Sequence, residues 1–219
     1  METEIKLAFS SKESLYDVIG SDWFACYCID PDSHSTYLLE NSYIDTSDMK
    51  VSSRGGMIRS RHYSGENDDF YEFTVKYGGG VESGLHRRHE WNVKSVDGRF
   101  DIERFKLDCV CGDEPSELLD EVLSGITDDD LELLCSNSFT RTTVKLGIKN
   151  SVIEACFDYG TIEGSNGQIK EYICELELEL LKGSVDDLNK MAEIVRSHVK
   201  CEPFDDTKYH RTIKYINKG

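Results

Sequence analysis

The sequence predicts an α+β fold in which antiparallel strands close into a barrel, ionic inside and clad by helices outside. Three features carry this. Charged and apolar residues alternate with period two in segment after segment, and in a strand that spacing sends each set to its own face. The charged residues are sorted by sign, some segments carrying Arg and Lys, others Glu and Asp. Amphipathic stretches with recognisable caps lie between and after these segments.

In chain order, Glu2, Glu4 and Lys6 oppose Thr3, Ile5 and Leu7. Ser11–Ile19 reads as a short helix. Arg59 and Arg61 share a face in Met57–Arg61; Glu72, Thr74 and Lys76 share one in Phe70–Tyr77. Arg88, Glu90 and Asn92 align in His86–Val93, with His89, Trp91 and Val93 opposite. Glu114–Ser124 reads as a helix with Pro115 near its first turn and Gly125 as its stop. Arg141, Thr143 and Lys145 align in Phe139–Leu146, and Glu154, Cys156 and Asp158 in Val152–Tyr159. In Tyr172–Leu181, Glu175, Glu177 and Glu179 alternate with Cys174, Leu176, Leu178 and Leu180. Ser184–Val199 reads as the longest helix, with Ser184 as N-cap and Asp187 completing a capping-box pattern. Trp23–Ser35 and His62–Asp69 carry no clear pattern.

One polar strand face is ordinary protein surface. Strands sorted by sign are not, because a solvated face mixes charges freely. Closing such strands around an axis lines a lumen with a basic region and an acidic region, and removes exposed sheet edges.

The chain has 219 residues, 38% of them apolar, enough for one substantial domain over 1–219. Without a long apolar stretch or a signal-like start, a soluble, cytoplasmic protein with no membrane association is expected. The net charge of −17 argues against non-specific binding of nucleic acid or anionic membranes. Asp128, Asp129 and Asp130 look like part of an acidic surface coat. Eight cysteines include the C-x-C pairs Cys26/Cys28 and Cys109/Cys111, a spacing wrong for zinc, so buried free thiols are expected. His86 and His89 lack a second ligand pair. Gly78-Gly79-Gly80 precedes no helix and no Gly-Lys-Ser/Thr, and reads as a hairpin turn rather than a phosphate loop.

A lumen of this kind suits a chain of phosphates. Arginine grips phosphate oxygens bidentately and lysine as a point charge, while carboxylates in i, i+2 pairs suit Mg²⁺ or Mn²⁺. The residues that build it resemble the motifs of the CYTH superfamily, the triphosphate tunnel metalloenzymes. Glu2-x-Glu4-x-Lys6 resembles its N-terminal E-x-E-x-K signature. Tyr43-Ile-Asp45-Thr46, Arg59-x-Arg61, Phe73-Thr-Val-Lys76, Arg88-His-Glu90, Phe139-Thr-Arg141, Glu154 with Asp158, Glu175-x-Glu177 and Lys208-Tyr209 with Arg211 follow in the family's order.

The resemblance implies an eight-stranded antiparallel barrel and a metal-dependent triphosphatase, most like bacterial inorganic triphosphatases. It implies that Lys6, Arg59, Arg61, Lys76, Arg88 and Arg141 hold phosphates, with Lys208 closing one tunnel end. Glu2, Glu4, Glu175 and Glu177, joined by Glu90 and Asp158, would hold Mg²⁺ or Mn²⁺, and Glu2, Glu4 and Lys6 would lie at the reacting centre. Glu179 and Lys145 share the right faces, either as further ligands or as a salt-bridged pair at the rim. Within the family the alternatives are an adenylate cyclase, a thiamine triphosphatase and a nucleoside- or RNA-triphosphatase, for which Tyr43, Tyr63, Tyr71 or Trp91 could stack an organic group. Outside it stand a non-catalytic polyphosphate-binding module and a lipocalin-like carrier. The carrier would need every strand shifted by one residue, burying charge against the helices.

Overall fold

The computed structural model describes residues 1–30, 34–66, 68–109, 114–164 and 167–215. Eight antiparallel strands close a barrel: β1 (Glu2–Ala8), β2 (Ser35–Thr46), β3 (Gly56–Ser64), β4 (Asp69–Glu82), β5 (Leu85–Ser95), β6 (Leu131–Ile148), β7 (Ser151–Glu163) and β8 (Ile169–Lys182). The order around the wall is β5-β4-β3-β2-β6-β7-β8-β1, and pairing of β1 with β5 completes the circle. β1 stands at a three-way junction. It pairs with β8 along one edge; along the other, β5 takes Glu2–Ile5 and the short β9 (Glu202–Pro203) takes Leu7 and Ala8.

The alternation read from the sequence sorts faces as expected. Outward apolar residues of β1, β6, β7 and β8 form one core with α1 (Lys12–Ile19), α2 (Asp22–Ala25) and α6 (Val185–His198), around Leu15, Phe24, Phe157, Leu178, Leu188 and Met191. Those of β3, β4 and β5 form a second core with α3 (Lys50–Ser53), α4 (Ile102–Asp108) and α5 (Ser116–Leu123), around Val51, Ile58, Val75, Trp91, Phe105 and Val122. Each cladding helix buries its apolar stripe on the barrel, the main source of its stability at these lengths. The last described helix, the short α7 (Lys208–Ile213), is bonded to inward-facing side chains of β6, β7 and β8.

Several expectations are corrected. Gly78–Gly80 is not the hairpin turn: β4 runs through it with a register shift between Tyr77 and Gly80, and the chain reverses at Ser83–Gly84. Gly79 has φ +91°, and a Cβ there would fall 1.8 Å from the Arg87 carbonyl oxygen, so this bulge admits only glycine. The capping box at Ser184 is half formed. Ser184 Oγ accepts from the Asp187 amide, but the Asp187 carboxylate turns to Ser151 Oγ and Lys149. β2 and α4 lack the charge alternation or long stripe that marked other elements. Asp128–Asp130 is an exposed 3₁₀ turn in which Asp128 accepts from the Ile102 amide and Asp130 caps Thr127. The described cysteines are free; Cys135, Cys156 and Cys201 are buried and Cys26 is exposed, against the expectation of burial. Cys111 lies outside the described residues.

Candidate active site

The barrel encloses a cavity of about 530 Å³. Every barrel strand except β2, which adds only Tyr43, sends a charged side chain to its wall. β1 contributes Glu2, Glu4 and Lys6; β3 Arg59 and Arg61; β4 Glu72 and Lys76; β5 Arg88 and Glu90; β6 Arg141; β7 Glu154; β8 Glu177 and Glu179. Lys208 enters from α7. Asp158 and Glu175 are inward-facing but lie beneath the surface, at 0% and 1% exposure.

These charges fall into groups that differ in how completely they are paired. Around α7 the pairing is complete. Lys208 Nζ lies 2.7 Å from Asp158, 2.8 Å from Glu177 and against Glu175. Arg141 forks onto Asp158 at 2.7 and 2.6 Å and also meets Glu177, while Arg211 binds Glu175 at 2.8 Å and Glu171 at 2.5 Å. Burial disfavours charge on Lys208, but its three carboxylates outweigh that and raise its pKa. Burial likewise opposes ionisation of Glu177, yet Lys208, Lys6 and Arg141 hold it well below the usual carboxylate range. Three cations also surround the inward ring of Phe139, at 5.8 Å for Arg61, 5.8 Å for Arg141 and 4.9 Å for Lys208. The ring keeps like charges apart while attracting each.

A second group lies on β1, β4 and β5. Lys76 bridges Glu2 at 2.7 Å and Glu90 at 2.6 Å, and Glu4 meets Arg88 at 3.2 Å and Lys6 at 3.4 Å. Burial, with Glu4 and Glu90 nearby, raises the Glu2 pKa well above normal in spite of Lys76. Glu90 goes the other way: burial is outweighed chiefly by Lys76.

The third group is barely paired. Arg59 reaches Thr74 at 2.9 Å and comes only to 4.0 Å from Glu72; Arg61 has no carboxylate within 4 Å among the described residues. The Nε of Arg59 and that of Arg88 are buried without an acceptor. On β7 and β8, Glu154 and Glu179 have no cation within 4 Å among the described residues. Strand register explains the crowding, since Glu4 stands opposite Glu179 and Glu179 opposite Glu154, forming a row of carboxylates across three neighbouring strands. Burial, then Glu90 and Glu4, push the Glu179 carboxyl up to about 7.

The predicted site residues Glu2, Glu4, Lys6, Arg59, Arg61, Lys76, Arg88, Glu90, Arg141, Glu177 and Lys208 thus meet at one cavity, with Asp158 and Glu175 behind its wall. The rim pair does not form: Glu179 lines the cavity and Lys145 is exposed. Tyr43 and Tyr63 line the cavity; Tyr71 stacks on His62 and Trp91 packs in the outer core. His89 turns to Glu114. Phe139 of the Phe139-Thr-Arg141 motif and Arg211 of the Lys208-Tyr209 motif also belong to the ionic framework, the ring beneath three cations and the guanidinium on Glu171 and Glu175. So does Glu72, which accepts from Tyr63 at 3.1 Å.

Asp158, Glu175 and Glu177 lie close enough together to share a metal ion. Their centre is taken by the Lys208 ammonium; in the Glu4–Glu179–Glu154 row, Glu154 and Glu179 have no cation within 4 Å among the described residues, while Glu4 already meets Arg88 and Lys6. Carboxylate oxygens of this kind fit a hard ion.

The chain matches the CYTH domain family over residues 1–213. An inorganic triphosphatase from Haemophilus influenzae is 27% identical over 186 residues, covering 85% of this chain and 46% of that protein, so the chain spans about half the length of this curated relative. A solved Hippeastrum protein, described as a candidate adenylyl cyclase with a dominant triphosphatase activity, superposes with a TM-score of 0.66 at 14% identity, over 99% of this chain and 97% of its own. A candidate adenylate cyclase from Bacillus halodurans gives 0.57 at 17% identity over 96% of both chains. At these identities the two structures speak for the fold alone.

Proposed function

The chain belongs to the CYTH family, and on that footing we propose that it hydrolyses inorganic triphosphate to diphosphate and phosphate with the help of Mg²⁺ or Mn²⁺. The observation that carries this reading is the charge left over in the cavity. Arg59 and Arg61 face it with unsatisfied N–H donors or no carboxylate partner, and Glu154 and Glu179 face it with no cation. A polyphosphate with its divalent counter-ion supplies both missing partners at once.

Arg59, Arg61 and Arg88 bind and orient phosphate oxygens, with Lys6, Lys76 and Arg141 beside them already sharing carboxylates. Lys208 fixes the far wall. As equatorial charge develops on the transferring phosphoryl group, these fixed cations stabilise it without having to reorganise. Glu4, Glu154 and Glu179 would hold the cation, with Glu2, Glu90 and Glu177 next to them. When bound, that ion supplies charge neutralisation and activates water.

The test is phosphate release from tripolyphosphate with Mg²⁺ or Mn²⁺, with and without chelator, beside ATP, thiamine triphosphate and 5′-triphosphate RNA, and with a check for cyclic AMP. Turnover of tripolyphosphate that chelation abolishes supports the reading; no phosphate release with either metal ends it. Tight binding without turnover would make the protein a polyphosphate-binding module. An organic triphosphate as the preferred substrate would give Tyr43 and Tyr63, two of the aromatic residues at the cavity wall, the stacking role.

A further inference from the structure

Arg61 differs from the paired lumen cations in what holds it. Its Nε donates to Asn41 Oδ1 at 2.7 Å, and a terminal nitrogen donates to Tyr63 Oη at 3.3 Å. Asn41 is 1% exposed and passes the contact on, its Nδ2 donating to Asn137 Oδ1 at 3.0 Å. Asn137 Nδ2 donates to Thr212 Oγ1 at 2.8 Å and to Tyr43 Oη at 3.4 Å. The Thr212 hydroxyl donates to the Lys208 carbonyl at 2.7 Å, inside α7. Asn41 stands opposite both Arg61 and Asn137 in register, so the path crosses β3, β2 and β6 at one level before reaching the helix. Neither asparagine lines the cavity.

The direction of this chain of bonds is set at the arginine. A guanidinium only donates, so Asn41 must offer it oxygen and turn its NH₂ to Asn137, which must then offer oxygen in turn. An amide does this without adding charge. A carboxylate at position 41 would accept from Arg61 equally well and cancel the charge that attracts an anion. Arg141, held by Asp158 and Glu177, is the contrasting case.

We propose that Asn41 and Asn137 are positioning residues that hold Arg61 as an uncompensated anion-binding cation and couple its pose to the seating of α7. If α7 shifts, Asn137 loses an acceptor, Asn41 loses its fixed partner and Arg61 is loosened. Anion capture at Arg61 and docking of the helix that carries Lys208 therefore favour each other. The identity of the anion rests on the triphosphate reading; the relay itself does not.

Three variants test this: Asn41→Asp, Asn41→Leu and the near-isosteric Thr212→Val. Two readouts are used, KM and kcat for tripolyphosphate, and hydrogen exchange at Arg61 Nε followed by ¹⁵N NMR. In the unsubstituted protein the Nε–H should be protected from exchange. Asn41→Asp should keep that protection yet raise KM about tenfold or more with a smaller change in kcat. Asn41→Leu should abolish protection, and Thr212→Val should speed exchange several-fold although it touches neither Arg61 nor the cavity. Should Asn41→Leu not fold, the other two decide. An unprotected Nε–H in the unsubstituted protein, or protection unchanged in Thr212→Val, overturns the relay; an unchanged KM in Asn41→Asp overturns the need for an uncompensated charge. A protein that turns over no triphosphate fails the functional reading alone, and the exchange measurements still judge the relay.

Discussion

Two basic clusters share the lumen and are built on opposite principles. Beside α7, Lys208, Arg141 and Arg211 are locked to Asp158, Glu175, Glu177 and Glu171, with most of their donors satisfied. On β3, Arg59 and Arg61 are held by the neutral groups Thr74, Asn41 and Tyr63, and among the described residues the one carboxylate within 4 Å of either is Glu72, 4.0 Å from Arg59. The first arrangement resembles a buried ion network, whose removal in part is costly. On the proposed function, the second stores electrostatic attraction for a ligand at the expense of the ligand-free protein. On that same reading, residues of one chemical type thus serve closure in one place and capture in the other.

The largest effect should come from breaking the closed cluster. Lys208→Met leaves three buried carboxylates around an apolar chain and should cost about 3–5 kcal/mol in urea unfolding. Unchanged stability would mean that the cluster is not a structural closure. Next, Arg59→Ala should lower kcat/KM for tripolyphosphate by about a hundredfold, roughly 3 kcal/mol, while thermal unfolding stays within a few degrees of the parent. A loss of stability as large as that of Lys208→Met would erase the contrast between the two clusters.

The smallest effect concerns Glu179. Its carboxyl sits at about 7 against 4.5 when unhindered, so the folded state binds the proton more tightly than the unfolded chain. Stability should then fall as pH rises from about 4.5 through 7, the loss being complete above the folded value. In metal-free buffer Glu179→Gln should match the parent near pH 4.5 and exceed it at pH 8 by about 1–2 kcal/mol, allowing for partial exposure. Equal denaturation profiles across that range would show that Glu179 is not the strained acid of the row.

Much of this architecture was legible in the sequence because an ionic lumen forces strict alternation, which β1, β3, β4, β5, β7 and β8 display. β2 escaped because its inward residues Leu39, Asn41 and Tyr43 are uncharged and its outward ones mixed. Composition alone does not separate a glycine turn from a glycine bulge, so Gly78–Gly80 reads as a turn in the sequence and stands as a bulge within β4 in the structure. Within the site, the sign of each residue could be read but its pairing could not. Glu175, Glu177 and Glu179 look alike along the chain, yet the first is sealed behind Lys208 and Arg211, the second is shared by Lys6, Lys208 and Arg141, and the third has no cation. Which of these environments a glutamate meets depends on the register of β8 against β1 and β7 and on where α7 comes to rest.

The three-way junction at β1 bears on how the molecule assembles. Its partners lie near residues 88, 179 and 202, so none of its edges can be satisfied by chain made soon after it. Loop closure over such separations is slow compared with local hairpins such as β3–β4 and β6–β7. The hairpins should therefore appear early as an open, curved sheet, and the seam should zip last, when β8 and the segment around Glu202 have both emerged. Until then the strand carrying Glu2, Glu4 and Lys6 waits unpaired, its charges serving in the interim to discourage association with other nascent chains.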